Sequence, residues 1–188
     1  MLHHPEYRAK YAENLKRELP RVPLANDFWG FSKAGKELAR LHIDYEKLEP
    51  YPLRFIEAGS GVVGANGVRP RAERRSALRG ADLKVGATIP LSYRVEDKMR
   101  LSKDRRSLKV NDSLTLGGIP PEAFEYRLGN RSALEWVIDQ YQVTEDKRSG
   151  IRSDPNRADD PEYIVRLVGQ VIYVSLETSR IVKSLPAL

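Results

Sequence analysis

Residues 119–143 read IPPEAFEYRLGNRSALEWVIDQYQV. Pro120 and Pro121 predict a short helix through EAFEYRL, because proline fits a first helical turn, and Gly129 is suited to stop it. Ser132-Ala-Leu-Glu135 has the spacing of a capping box. The serine hydroxyl accepts from a backbone amide one turn on, and the glutamate reaches back. Leu134, Val137, Ile138 and Tyr141 then fall on one helical face. Two capped helices with a buried face are scaffold, so the working surface is expected elsewhere.

The pattern continues on both sides. Downstream, TEDKRSGIRSDPNRADD is a polar run of turn formers. Asp160 and Pro161 are placed as cap and first-turn residue of a last helix reaching about Ser184, with an apolar stripe of Ile164, Leu167, Val168, Val171, Val174, Ile181 and Val182. At the other end, Tyr7, Tyr11, Leu15 and Leu19 recur at helical spacing between Pro5 and Pro20. Asp27 caps a second helix striped by Phe28, Phe31, Leu38 and Leu41. Between these shoulders the period changes to two. LRFIEA is a candidate strand, and TIPLSYRV alternates at Ile89, Leu91, Tyr93 and Val95. DKMRLS and RSLKVND flank a KDR turn, with Met99, Leu101, Leu108 and Val110 on one face and Lys98, Arg100, Ser107 and Lys109 on the other. The expected fold class is α+β: a small antiparallel sheet with a basic face, packed against N-terminal and C-terminal helices.

The chain has 188 residues, 40% hydrophobic and 31% charged, enough to bury a core. It has no cysteine, which excludes disulfides, cysteine zinc modules, iron–sulfur clusters and thiol nucleophiles. No apolar run approaches the ~20 residues that span a bilayer. No secretory pattern opens the sequence, so a cytoplasmic protein with no membrane contact is expected. The net charge is +6. From Arg69 to Lys109 there are 13 basic and 5 acidic residues, leaving 19 basic and 21 acidic elsewhere. The whole positive excess therefore lies in one central segment, which is either a solvated loop or an anion-facing surface.

Other motifs carry less. Gly59-Ser-Gly-Val-Val-Gly64 has dinucleotide-binding spacing, but Gly67 and Pro70 interrupt where a helix should present its N-terminus to a pyrophosphate. Asp82 and Glu96 each precede a lysine by two residues, as in metal-dependent nucleases, yet such matches arise readily in a chain this charged. His3, His4 and His42 lack metal-ligand spacing, and neither a P-loop nor a nucleophile elbow is present. No catalytic residue, metal ligand or cofactor is expected.

The longer blocks resemble a known family. HHPEYRAKYAENLKRELPRVPLANDFWGF looks like the segment that follows the adenine-methyltransferase domain in large single-chain restriction–modification enzymes. NDSLTLGGIPPEAFEYRLGNRSALEWVIDQYQV, DKRSGIRSDPN and YVSLETSRIVKSLP are similar to the C-terminal end of Type ISP restriction–modification enzymes. The similarity covers nearly the whole chain and is weakest from about Glu57 to Gly86. It implies a helical connector over residues 1–50, following a methyltransferase domain that is not in this sequence, and a target-recognition domain over 51–188. The family's segments for ATP, magnesium and S-adenosylmethionine have no counterpart here. A chain beginning at Met1 on this connector is then expected to be a separate subunit, an excised piece or a gene remnant.

The two lines of reasoning converge on a sequence-specific double-stranded DNA-binding module, non-catalytic by itself, working with a methyltransferase/helicase module in cis or in trans. Candidate DNA contacts are Arg69, Arg71, Arg74 and Arg75 in the central loop, with Arg79 beside them. Lys98, Arg100, Lys103, Arg105, Arg106 and Lys109 follow on the hairpin. Lys147, Arg148, Arg152 and Asn156 form a second element. Arginine suits both phosphates and guanine edges because its fork donates twice. The alternative is a helical docking module for a catalytic subunit, with only incidental DNA contact. A small nuclease using Glu96 or Asp82 is a third reading.

Overall fold

The structure, a computed structural model, describes residues 1–2, 4–58 and 92–187. The described residues form four helices, α1 (Pro5–Lys10), α2 (Phe28–Ile43), α3 (Ala133–Gln140) and α4 (Tyr163–Lys183), and a four-stranded antiparallel sheet against which α3 and α4 pack. Its strands are β1 (Arg54–Glu57), β2 (Arg100–Leu101), β3 (Ser107–Lys109) and β4 (Leu114–Gly117), in spatial order β1-β4-β3-β2. Two small ladders stand apart, β5 (Arg127–Leu128) with β6 (Arg131–Ser132), and β7 (Thr144–Glu145) with β8 (Arg152–Ser153). The expected α+β class is what forms.

The pairing register explains the two faces. Leu101, Leu108, Leu116 and Phe55 make one row across the sheet, and Arg100, Lys109, Thr115 and Ile56 make the next. Side chains alternate faces along a strand, so the first row enters the core and the second points outward. Leu108, Leu116, Val168 and Ile172 are fully buried in one cluster that joins the sheet to α3 and α4. Each such side chain contributes about 1.5–3 kcal/mol of hydrophobic stabilisation. Leu41 of α2 meets Val174 and Ile181 of α4 in a second, separate cluster. Gly169 lets the chain cross close to α4. A Cβ there would meet Pro50 at 2.7 Å, and its carbonyl accepts the Tyr51 N–H at 3.0 Å. The Gln170 amide then donates to the Glu46 and Leu48 carbonyls.

Several local expectations change. The first helix does not reach Leu19. It stops at Lys10, and only a single 3-10 turn, Asn14–Lys16, follows. Tyr7 alone is buried on α1, while Tyr11 is exposed and Leu19 is 89% exposed, so the stripe beyond Tyr7 buries too little to repay a longer helix. Gly129 does not end a helix. Pro121–Phe124 is a 3-10 turn, and Gly129 (φ 71°) and Asn130 are the two-residue turn between β5 and β6, with Leu128 opposite Arg131. Positive φ at the first turn residue is what such hairpins ask of glycine. The polar run TEDKRSGIRSDPN folds into a hairpin, β7–β8. The last helix begins at Tyr163 with Glu162 as its cap residue. Asp160 instead pairs with Arg166, and its carbonyl accepts the Tyr163 N–H. Residues 92–95 carry no strand assignment. The first half of that expected strand, with Ile89 and Leu91, lies outside the described residues; in the second half Tyr93 is half-buried and Val95 fully buried, as the alternation predicts.

Other local readings hold. Asp27 Oδ1 caps α2, accepting the Gly30 N–H at 2.8 Å, and the capping box at Ser132 and Glu135 is complete in both directions. His42 is structural. Its Nδ1 lies 2.8 Å from the Leu38 carbonyl, which can only accept, so in the neutral ring Nε2 accepts from the Tyr126 hydroxyl at 3.0 Å. This pair ties α2 to the segment before β5.

Candidate nucleic-acid interface

Arg69, Arg71, Arg74, Arg75 and Arg79 lie outside the described residues, as do the 59–64 glycine run, Asp82 and His3. The remaining basic candidates fall into two hairpins with different surroundings.

On the β2–β3 hairpin, Arg100 and Lys109 face each other across the ladder on the outer side of the sheet. Arg54 lies in the adjacent outward row with Gly117 and Ser107. Most of these cations are partnered. Arg100 pairs with Asp97 at 3.2 Å and Lys109 with Asp112 at 2.7 Å. The Lys109 ammonium holds the Asp112 carboxyl below its usual range. Lys98 pairs with Asp139 of α3, whose other oxygen takes Arg131 of β6.

Arg105 is the turn residue, in left-handed backbone at φ 58°. For a residue other than glycine that costs about 1 kcal/mol or more. Two contacts offset it: the guanidinium lies 4.1 Å from the centre of the Phe124 ring, and it pairs with Glu135. Partial burial pushes the Glu135 carboxyl up, but the Ser132 N–H and hydroxyl and the fields of Arg105 and Arg127 outweigh it, and it ends below its usual range. Arg105 therefore fastens the tip of the hairpin to the scaffold. Lys103 and Arg106 are exposed, and neither forms a salt bridge among the described residues.

The β7–β8 hairpin is built the other way. Asp146 organises its tip from within. The Asp146 carboxylate accepts the Arg148 N–H at 2.7 Å and the Ser149 N–H at 3.3 Å, and its carbonyl accepts the Gly150 N–H at 2.8 Å. Those amides hold the Asp146 carboxyl below its usual range. Lys147, Arg148 and Arg152 are all exposed, with no salt bridge among the described residues. Arg152 lies opposite Glu145 across the ladder, and its field reaches Asp154.

Asn156 is not on the exposed tip. Its side chain meets the Val95 backbone from both sides. The Val95 N–H donates to Oδ1 and Nδ2 donates to the Val95 carbonyl, both at 2.8 Å.

Charge counting missed the β5–β6 hairpin, which presents Arg127 and Arg131 beside the partly exposed Leu128 and Trp136. Arg131 sits 5.6 Å from the Trp136 ring centre. The signal was the Gly-Asn dipeptide in RLGNR, a two-residue hairpin turn. Glu96 is exposed. Among the described residues, no group of three His, Asp or Glu is placed to hold a metal, and no helix is long and apolar enough to cross a membrane.

Three short hairpins carry cations at the surface, one within the helix-backed sheet and two as ladders of their own, as in a recognition domain. The family model for the Type ISP C-terminal specificity domain matches residues 1–167, and the chain belongs to that family.

Solved structures agree. The chain is similar to the ATP-dependent Type ISP restriction–modification enzyme LlaBIII bound to DNA. The TM-score is 0.76 with 33% identity, covering 99% of this chain and 10% of that one. It is also similar to a nuclease-deletion mutant of the Type ISP enzyme LlaGI in complex with a DNA substrate mimic. There the TM-score is 0.75 with 34% identity, covering 99% and 15%. Similarity to the DrdV–DNA complex gives a TM-score of 0.70 with 34% identity, covering 100% and 17%. The chain thus spans less than a fifth of each of these enzymes. Among curated proteins there is no match.

Proposed function

We propose that this chain is the target-recognition module of a restriction–modification or adenine-methyltransferase system, reading a short site in double-stranded DNA. The observation that carries the reading is the β7–β8 hairpin. In a chain of the specificity-domain family, it holds Lys147 and Arg148 outward on a tip bonded by Asp146, with no carboxylate paired to them among the described residues. Unpaired cations on a fixed element suit phosphates, and arginine forks suit guanine edges. Arg100, Lys109 and Arg54 on the outer sheet face add further backbone contacts. Catalysis belongs to a methyltransferase/helicase module, in cis or in trans, and the place of work is the cytoplasm.

Residues 1–50 serve in this reading as the connector to that module, with 51–188 as the recognition domain. Leu19, Val22, Leu24, Phe28 and Trp29 are all more than half exposed, which supports docking of this end on a catalytic partner. The same observation favours the second reading, in which docking is the whole function and DNA contact is incidental.

Selection from a random duplex pool at about 150 mM salt, where nonspecific binding is weak, separates the two. Enrichment of one motif is the expected result. Salt-sensitive binding with no enriched motif would leave the docking reading in its place.

A further inference from the structure

We infer that Asn156 is a positioning residue for DNA recognition, setting the β7–β8 hairpin against the sheet instead of reading a base. The inference rests on the DNA-binding function proposed above. The hairpin has two stems, and both are tied to residues 94–97. On the entering side, the Val143 N–H donates to the Asp97 carbonyl at 2.8 Å. On the leaving side, the Asn156 amide takes both backbone groups of Val95, and Arg94 pairs with Asp154. Asn156 Nδ2 also donates to Asp154 Oδ1 at 2.7 Å, and the Asn156 N–H donates to the same oxygen at 3.0 Å. Those hydrogen bonds, the side-chain amide first, then the fields of Arg94 and Arg152, hold the Asp154 carboxyl below its usual range.

Both hydrogens of the Asn156 amide are thereby used. Asparagine reads adenine by donating and accepting through that same amide, so Asn156 would have to release Val95 to do so. The segment it grips is fixed from the other side as well. Asn111 Nδ2 donates to the carbonyls of Ser92 and Arg94, each at 2.7 Å, and the Ser92 N–H donates to Ser113 Oγ at 3.0 Å. Asn111 Oδ1 in turn accepts from the Ser113 and Leu114 N–H groups, in the turn between β3 and β4. Two side-chain amides, Asn111 in the β3–β4 turn and Asn156 in the β7–β8 stem, thus grip the backbone of residues 92–95 from either side. The tip is already ordered by Asp146, so the angle of the stem is what Asn156 sets. That angle decides whether Lys147 and Arg148 meet the same duplex as Arg100 and Lys109.

The test measures binding of the full chain to a short fluorescent duplex of mixed sequence across a salt series. The slope of log affinity against log salt counts phosphate contacts, at about 0.9 per contact. Removing Lys147 and Arg148 together, as Lys147→Ala with Arg148→Ala, is expected to flatten the parent slope by about 2. Asn156→Asp keeps the acceptor but loses the donor and faces Asp154. It is expected to flatten the slope by a similar amount, and adding the two alanines to it should change the slope no further.

A role limited to stability gives a different result. It lowers the folded fraction and hence the affinity at every salt, but leaves the slope and the two-contact loss intact. Additive variants of that kind overturn the inference while the functional reading stands. A parent with no salt-dependent binding overturns the functional reading and the inference with it. Should Asn156→Asp fail to fold by circular dichroism, Asn156→Ala removes the amide without adding charge and is read in the same way.

Discussion

In the β2–β3 hairpin, Lys98, Arg100, Arg105 and Lys109 each lie against a carboxylate, whereas in the β7–β8 hairpin Lys147 and Arg148 lie against none among the described residues. Both stretches look alike as text, basic residues around a turn. The difference is in how each turn is held. The first is held by its own Asp104 and also from outside, by Arg105 on Phe124 and Glu135. The second is held by its own Asp146, and its cations have no salt-bridge partner among the described residues. A paired cation offered a phosphate must give up its partner, and the acid left behind repels the newcomer. Exposed pairs are worth only about 0–1 kcal/mol, so the exchange is feasible, but it makes each contact weaker.

The largest expected effect follows from that contrast. Replacing Lys147, Arg148 and Arg152 by alanine should weaken duplex binding roughly tenfold to a hundredfold at moderate salt, with a slope shallower by about 3 contacts. Replacing Lys98, Arg100 and Lys109, an equal charge change, should cost only about threefold, because those three already have partners. Anisotropy titrations at several salt concentrations read both. Equal losses would erase the distinction between the hairpins.

A smaller effect, of opposite sign, sharpens it. Asp139 holds Lys98 and Arg131 together, one on each carboxylate oxygen. Asp139→Asn leaves a hydrogen-bonding group of the same shape but frees two cations on the sheet side. Nonspecific binding at low salt should rise about threefold, with a steeper slope. Affinity that stays level would mean that this edge of the sheet does not meet DNA.

The chain's text gave these regions away unevenly, according to how far each determinant reaches. Ser132 and Glu135 are three residues apart, so the capping box was legible and formed as expected. The burial of Met99, Leu108 and Val110 and the half-burial of Leu101 followed from their alternation, and the outward cations opposite them likewise. Gly129 was misread because a glycine after a helical period reads equally as a stop or a turn. Only the pairing of Leu128 with Arg131 decides between them. The alternation at Tyr93 and Val95 suggested a ladder, but that backbone is met by side chains of Asn111 and Asn156, the latter 61 positions away. The neutralising partners of Lys98 and Arg105 are 41 and 30 residues off, on α3. Net charge is visible in a sequence, but which charges are already spent is not.

Acid should release the two turns in order, and this is the smallest of the expected effects. Asp104 is held below the usual aspartate value of 3.8 by the Ser102 hydroxyl and the Arg106 N–H, and Asp146 by the Arg148 and Ser149 N–H groups. A carboxyl with a lowered folded-state pKa gives ordering that is complete above 3.8 and lost as pH falls through the lower folded value. Both turns therefore loosen only in strong acid. They do not loosen equally. Arg105 on the Phe124 ring needs no carboxylate, and the Arg105 N–H still donates to the Ser102 carbonyl at 2.9 Å. The bonds described at the β7–β8 tip come from within it: Asp146, the Ser149 hydroxyl accepting the Ile151 N–H at 3.4 Å, and the strand bonds beside them. Amide exchange followed by NMR below pH 4 should show Arg148 and Ser149 losing protection while Arg106 keeps most of its own. If all three amides opened together, the β2–β3 turn would also depend on its aspartate, and the scaffold contact through Arg105 would not be what holds it.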